Sequence, residues 1–349
     1  MAAVVAGVPS PAHAAPPDMW GFAYVEDPTV APWTNLNPAY QATSPATPNV
    51  QGGKTGTGRF TVKFLGLGIG MVGNVHVTAV GKGNYCETVR WDTNGVDEIV
   101  DVACFRPGGV PQDTRFAVMW TNNSVVVPTT VSFASVQWIA GVGLKQFYNS
   151  TGAGVTITQV GTGAYSVRFQ KVGTGHSQIT GTVQVTAQDF AAQPRRCKVS
   201  GWDDAGTDMV ANVYCFDAGS TLVDSGFTAS FQRQRPILSA DGPPKYFGYV
   251  WTPLSLPPSA SQTNFNYPAG GYGLNTVTVS GSVTSVRFPL LAFALTHAQV
   301  TAFGNDANYC TLGRLWVASG SDLVVTAACF APSGAPAVEE AFVAATNNV

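Results

Sequence analysis

The chain has 349 residues, and 45% of them are hydrophobic, so it carries enough apolar side chains for packed cores and is not a disordered polymer. Charged residues make up 11%, the formal net charge is −2, and no basic run is longer than Arg195-Arg196, which argues against a nucleic-acid partner. No apolar stretch reaches the roughly 18 residues that a membrane-spanning helix needs.

The first residues read as the end of a secretion signal. Ala12-His13-Ala14 matches the small-residue pattern that signal peptidase cleaves, and a short apolar stretch precedes it. We therefore expect residues 1–16 to be a signal-peptide remnant or N-terminal tail, and the mature protein to be secreted. The alternative is an ordinary flexible terminus.

The composition favours strands and turns. The 38 glycines supply positive φ at corners, and the many valines and threonines suit a pleated surface. Residues 60–64 and 75–79 alternate apolar and polar side chains with a period of two, which is typical of half-buried antiparallel strands.

A set of landmarks recurs three times at spacings of about 110 residues. Each copy has an aromatic opening strand, an F-x-V-x-F-like strand, a V-x-V-T-A-like strand, two cysteine strands and a last strand that begins at a phenylalanine. We therefore predict an all-β fold of three tandem antiparallel modules, sandwich or barrel-like, with about six strands each. The predicted modules are residues 17–127 (copy one), 128–240 (copy two) and 241–349 (copy three).

The two cysteines of each copy lie equally far from a glycine turn, at Gly95, Gly206 and Gly320. Two strands that leave such a turn place the cysteines opposite each other, within reach of a disulfide. The extra residue between Cys310 and Trp316 predicts a β-bulge in copy three. The predicted hairpin disulfides are Cys86 with Cys104, Cys197 with Cys215, and Cys310 with Cys329.

Motifs for catalysis are not convincing. Residues 68–73 spell G-x-G-x-x-G, but a strand follows where a dinucleotide site needs a helix, so we interpret them as a turn. His76 and His297 lie on or beside equivalent strands where copy two has Gln184 and Thr182, and we interpret them as solvated strand residues. We therefore predict a non-catalytic protein without a cofactor or metal ion.

Acidic residues recur just past the hairpin glycines, at Asp97, Asp208 and Asp322. Aspartate side chains commonly bond to the backbone in turns, and we prefer that interpretation. The alternative is calcium, which needs about six to eight oxygen ligands and could start a site at Asp92 and Asp97, or at Asp203 and Asp208.

The segment between the first and second strands differs most among the copies and holds aromatic residues amid Asn, Ser, Thr and Gly. Flat rings stack on the apolar faces of sugars while amides bond to hydroxyls, a combination that suits glycan or protein recognition. The alternative is that Tyr40, Tyr148 and Tyr267 are equivalent and form a structural lid over the sheet. The candidate binding residues are Trp33, Tyr40, Phe147, Tyr148, Phe265, Tyr267 and Tyr272.

Copy two combines G-T-G-x-Y-x-V-x-F at residues 161–169, V-x-V-T-A at 183–187 and C-F-(x8)-D-(x2)-F at 215–227. With these elements the chain resembles a group of secreted repeat proteins of actinobacteria and related soil bacteria. The likeness covers nearly the whole mature chain, and copy three departs most, with Thr284 for the tyrosine and Glu339 for the aspartate. The resemblance implies export and a β-repeat architecture, but no activity and no site residue.

The sequence is compatible with three functions. The leading hypothesis is a secreted, non-catalytic protein that binds a glycan or cell-surface polymer multivalently, because three weak sites in a row gain avidity. The alternative is a structural subunit of an extracellular coat or filament, whose partners are other copies of itself. An enzyme of unknown class is disfavoured because no set of titratable residues recurs in the copies.

Overall fold

Strands dominate the part of the chain that the structure describes. The computed structural model describes residues 18–47, 49–81, 83–127, 131–175, 179–239, 245–254 and 262–349. In these ranges the regular elements are 28 β-strands and one 3₁₀ turn, Pro38–Tyr40, which confirms the predicted all-β class. They contain no helix long and apolar enough to cross a membrane. The predicted signal remnant, residues 1–16, lies outside them.

The strands divide among the three sequence copies as follows. Copy one contains β1 (Met19–Val25), β2 (Thr34–Asn35), β3 (Gln41–Ser44), β4 (Val50–Gly56), β5 (Arg59–Phe64), β6 (Asn74–Ala79), β7 (Tyr85–Asn94), β8 (Asp97–Arg106), β9 (Val110–Pro111) and β10 (Phe116–Asn122). Copy two contains β11 (Ser132–Ile139), β12 (Gly143–Asn149), β13 (Val155–Gly161), β14 (Ala164–Phe169), β15 (Thr182–Gln188), β16 (Arg196–Ala205), β17 (Asp208–Phe216) and β18 (Gly226–Arg233). Copy three contains β19 (Phe247–Trp251), β20 (Asn264–Asn266), β21 (Gly271–Tyr272), β22 (Thr276–Ser280), β23 (Val283–Phe288), β24 (Thr296–Phe303), β25 (Tyr309–Leu312), β26 (Val317–Ser319), β27 (Asp322–Phe330) and β28 (Glu340–Asn347).

The prediction of about six strands per copy was too low, since the described residues hold ten, eight and ten. Several of the additional strands are very short or lack a regular alternation of apolar and polar side chains, although β13 (VTITQVG) and β22 (TVTVS) do alternate. β4, for example, reads VQGGKTG, and its glycines have no side chain to show which face is buried.

Two kinds of sheet recur with the same strand order. The sheet with the opening strand, here called the opening sheet, has the orders β3-β1-β10-β6, β12-β11-β18-β15 and β20-β19-β28-β24. The sheet with the cysteine strands, here called the cysteine sheet, has the orders β4-β5-β8-β7, β13-β14-β17-β16 and β22-β23-β27-β25. Every pairing named here is antiparallel, and β2, β9, β21 and β26 extend these sheets as short additional strands.

Apolar side chains fill the space between the opening and cysteine sheets, which gives a sandwich-like packing. In copy one, Phe60, Val62 and Phe64 of β5 meet Val75 of β6 and Val118 of β10 in one fully buried cluster. These are the side chains that the two-residue alternation directs to one face. Each of them contributes about 1.5–3 kcal/mol by leaving water.

The three predicted disulfides are present, each between residues directly opposite each other on paired strands, with Cα atoms 4.0–4.1 Å apart. The bulge predicted in copy three is present as a larger irregularity: between Leu312, which pairs with Ala327, and Val317, which pairs with Val324, four residues face two. Copies one and two also have a bulge, of one residue each, at Val89 and Ser200. The larger irregularity in copy three separates β25 from β26.

Three parallel contacts join the copies into a closed ring. In each, the end of a V-x-V-T-A strand (β6, β15 or β24) meets the first cysteine strand of a neighbouring copy. The three strands also contact one another and surround a central line, here called the axis. The parallel pairs are Gln188 with Thr88, Phe303 with Val199, and Val80 with Leu312.

Buried threonines hold the strands around the axis. Thr78, Thr186 and Thr301 occupy the same position of β6, β15 and β24, and each is at least nine-tenths buried. Each hydroxyl accepts a backbone N–H from a different copy. The donors are Val300 to Thr78 at 3.2 Å, Val77 to Thr186 at 3.2 Å and Val185 to Thr301 at 3.0 Å.

The interpretation of His76 and His297 as solvated was wrong, because the neighbouring copies cover both. Their side chains are 1% and 0% exposed. Nε2 of His76 lies 2.8 Å from Oγ of Ser230, and Nδ1 lies 3.2 Å from Oγ1 of Thr186, both in copy two. Burial lowers the pKa of each histidine to about 3, so both are neutral near pH 7.

Candidate functional site

A groove of about 660 Å³ crosses the outer face of the cysteine sheet of copy one. Trp33 lines one part of it, and Ala191 and Ala192 of copy two line another. Between them lie side chains of β5, β7 and β8. The volume falls within the ~300–1,000 Å³ typical of ligand sites.

The groove residues face outward because the strands alternate. Phe60, Val62 and Phe64 point into the core, so Arg59, Thr61 and Lys63 of the same strand point away from it. The antiparallel register sets Thr61 opposite Asp101, and Lys63 opposite Ile99. It also sets Arg90 of β7 opposite Asp101 and Asp92 opposite Ile99. The result is a row of polar groups across three strands.

Arg90 and Asp101 form an ion pair in the groove, with Nε 2.9 Å from Oδ2. The arginine side chain is 64% exposed and the aspartate side chain 28%. An ion pair this open contributes at most about 1 kcal/mol. Both groups can therefore turn to a polar ligand at little cost.

The loop of residues 26–37 carries Trp33 and lies on β4. The backbone N–H of Lys54 donates to the carbonyl of Val30 at 2.8 Å, and that of Leu36 donates to Val50 at 2.9 Å. Gly53 permits the close approach, because a Cβ there would lie 2.1 Å from the carbonyl oxygen of Ala31. The loop is thus fixed to the sheet on both sides of Trp33.

Trp33 is the most unusual residue of the groove. Its φ is +65°, in the left-handed region that bulky residues rarely occupy and that costs about 1–3 kcal/mol. Its side chain stays 44% exposed, and Nζ of Lys63 lies 4.2 Å from the ring centroid. Strained backbone positions cluster at ligand-binding and active sites, so Trp33 is a candidate binding residue.

Copy two supplies another wall of the groove. Nη2 of Arg59 donates to the carbonyl of Ala192 at 2.8 Å, which joins β5 to this turn. The turn is fixed by Asp189, whose backbone N–H donates to Thr88 at 3.1 Å and whose Oδ1 accepts the N–H of Ala191 at 2.8 Å. The groove is therefore complete only when copies one and two are packed together.

The structure does not bring the seven predicted aromatic residues together. Trp33 lies in the groove, whereas Phe147 and Tyr148 line a separate concavity of about 240 Å³ beside Val72 and Gly73. The remaining four pack elsewhere. Tyr40 meets Tyr24 edge-on, Phe265 is 7% exposed, Tyr267 stacks on Phe247, and Tyr272 bonds to Gln234.

The alternative that Tyr40, Tyr148 and Tyr267 are equivalent holds for the first two, which lie at matching positions beside their opening strands, but not for Tyr267. In β12, Tyr148 pairs with Ser135, and in β20 the matching partner of Tyr249 is Phe265. Tyr267 lies two residues further along and is 48% exposed. Aromatic spacing alone does not reveal this difference in register.

The recurring aspartates bond to backbone N–H groups, but those of the loop after the F-x-V-x-F-like strand rather than those of their own hairpin turn. Oδ1 of Asp97 accepts the N–H of Gly66 at 2.9 Å, and Oδ1 of Asp208 accepts that of Lys171 at 3.0 Å. Asp92 accepts the N–H of Thr93 at 2.8 Å. Within the described ranges, no three His, Cys, Asp or Glu side chains gather as metal ligands do.

Sequence reasoning missed most of the groove. Arg90 and Asp101 could have been found by continuing the two-residue alternation from β5 into the cysteine hairpin. The contribution of Ala191 and Ala192 could not, because it depends on how copy two packs against copy one.

No protein-family model, no curated protein and no solved structure matches this chain. The resemblance to secreted repeat proteins of soil bacteria therefore stays a prediction.

Proposed function

We propose that this is an exported, non-catalytic binding protein that takes up an extracellular glycan in the groove of copy one. The observation that carries the proposal is Trp33, a partly exposed tryptophan with a left-handed backbone at the wall of a groove of ligand size. Trp33 was among the residues that the sequence singled out.

The chemistry of the groove suits a sugar chain. An indole ring offers a flat apolar surface to a pyranose, while hydroxyls require donors and acceptors at its edges. Arg59, Arg90, Asp92 and Asp101 supply both, and their formal charges cancel. This balance favours a neutral polysaccharide over a strongly acidic one.

The proposal includes three β-sandwich modules at residues 17–127, 128–240 and 241–349. Its support is the repeated strand order of the opening and cysteine sheets. The three disulfides favour an oxidising compartment, and export is the simplest way to reach one. We place the glycan site in copy one, since the groove with Trp33 lies there.

The test is binding to cellulose, chitin, xylan and purified bacterial cell walls, by pull-down and then by calorimetry with soluble fragments. We expect retention by one of these polymers. Trp33→Ala should weaken it by about 2 kcal/mol, or about 30-fold, as loss of an aromatic anchor does.

Phe147→Ala is the matched control. Phe147 is 49% exposed, close to the 44% of Trp33, but lies outside the groove. Equal retention of Trp33→Ala and the unmodified protein would contradict the proposal. Loss in Phe147→Ala alone would move the site to the other concavity, and no retention with large ordered particles in solution would favour the coat or filament subunit.

A further inference from the structure

A buried lysine meets two carboxyl groups where copies two and three join. Nζ of Lys198, on β16, lies 2.9 Å from Oδ1 of Asp306 and 3.5 Å from Oε1 of Glu339. The side chain of Lys198 is 3% exposed and that of Glu339 is 8% exposed, whereas Asp306 is 54% exposed. No equivalent cluster can form in the other copies, which have Glu87 and Thr311 at the position of Lys198.

The backbone holds the three groups in place. The N–H of Gly304 donates to the carbonyl of Val199 at 2.9 Å, which sets the loop of Asp306 beside Lys198. Gly304 also leaves the space open, since a Cβ there would lie 2.5 Å from Oε1 of Glu339 and 3.4 Å from Nζ of Lys198. Asn308 fixes the carboxylate of Asp306. Its backbone N–H donates to Oδ1 at 3.0 Å, and its Nδ2 donates to Oδ2 at 2.5 Å.

The two carboxyl groups differ in their tendency to hold a proton. Burial, reinforced by the charge of Asp306, raises the pKa of Glu339 to about 7. Burial also acts to raise the pKa of Asp306, but the hydrogen bond and charge of Lys198 outweigh it, and the net shift is downward. Glu339 can therefore both give and take a proton near neutral pH, which is the property of a general acid and base.

We propose that Lys198 and Asp306 condense to an intramolecular amide bond, with Glu339 as the carboxyl group that transfers the protons. The bond links the side chain of copy two to that of copy three.

The reaction is a condensation and needs no oxidant, reductant or co-reactant. The ammonium of Lys198 gives one proton to the carboxylate of Glu339, which passes it to an oxygen of Asp306, and this leaves an amine and a carboxylic acid. Nζ then attacks Cγ of Asp306 and forms the N–C bond. Glu339 takes the second proton from the attacking nitrogen and returns one to the departing oxygen, the Cγ–O bond breaks, and one water leaves. Glu339 ends in its starting state.

The arrangement favours condensation over the plain ion pair. Two groups held in contact react with effective concentrations of about 10⁵–10⁸ M, which offsets the advantage of water in hydrolysis. The exposed side of Asp306 gives the released water a way out. The charge on the buried Lys198 costs desolvation energy, whereas an amide carries no charge to desolvate.

The test is mass spectrometry of the full-length protein, denatured and with its disulfides reduced. We expect a mass lower than that of the sequence by one water molecule, and a branched proteolytic peptide that joins residues 198 and 306. The pair of Lys54 and Asp113, 2.5 Å apart in the same protein, is an internal control, and its peptides should stay separate.

The Glu339→Gln variant should have the full mass of its sequence and give only unlinked peptides. The Glu340→Gln variant, changed one residue away, should still contain the link. Lys198→Met should also show the full mass. If the unmodified protein has the full mass, or if the lost water maps to another position, the proposal is wrong. Because the first measurement uses the unmodified protein, poor folding of a variant does not obscure the answer.

Discussion

At the scale of single residues, the two buried histidines make the protein sensitive to acid. His76 and His297 have a pKa of about 3 in the folded protein, against about 6.5 in an unfolded chain. The unfolded chain therefore binds more protons between these values. The stability from neutral histidines is full above pH 6.5 and is lost as the pH falls towards 3, by about 1.4 kcal/mol per histidine and pH unit.

His76→Gln tests this sensitivity. Copies two and three have Gln184 and Gln299 at the equivalent position, so glutamine fits a site of this kind. Between pH 7 and 5 the variant should lose about 2 kcal/mol less unfolding free energy than the unmodified protein. Urea unfolding at both pH values measures the difference. The acidic residues are the same in both proteins, so their contribution to the pH dependence cancels in the comparison. Identical pH dependence would show that His76 is not buried in its neutral form.

At the scale of the element, the loop of residues 26–37 depends on one glycine of β4. The Cβ of Gly53→Ala would meet backbone atoms, 2.1 Å from the carbonyl oxygen of Ala31 and 2.7 Å from the nitrogen of Pro32. Backbone gives way less readily than a side chain, so we expect the loop to lift from β4 and carry Trp33 out of the groove. Glycan binding should then fall about as far as in Trp33→Ala.

Hydrogen exchange checks the loop without any ligand. The N–H of Lys54, bonded to Val30, should lose protection in Gly53→Ala. Gly56→Ala on the same strand is the control, because its Cβ would find Arg59 at a comfortable 3.6 Å. Unchanged protection of Lys54 in Gly53→Ala would mean that the loop does not rest on this contact.

The elements differ in how far sequence could predict them. The cysteine hairpins follow from spacing alone, since a disulfide and a glycine turn fix the register of two strands. The alternation in β5 and β6 shows which side chains share a face. It cannot show what covers that face, and for this reason His76 was interpreted as solvated and the groove was missed. Both depend on contacts between residues more than 100 positions apart.

At the scale of the whole molecule, the threonines of the axis make the three copies depend on one another. Each of Thr78, Thr186 and Thr301 accepts a backbone N–H from another copy, in a cycle that returns to its start. Replacing threonine by valine keeps the shape but removes the acceptor. One buried N–H then has no partner, which costs about 1–3 kcal/mol.

We therefore expect Thr78→Val, Thr186→Val and Thr301→Val to lower the unfolding free energy by similar amounts, each within a single cooperative transition. Thr158→Val, on the exposed side of β13, should change it by less than about 0.5 kcal/mol. Chemical denaturation followed by both fluorescence and circular dichroism measures this. If the copies were independent, each variant would shift one of several separate transitions. A shared shift instead means that the ring unfolds as one unit, so that a ligand bound between copies one and two stabilises copy three as well.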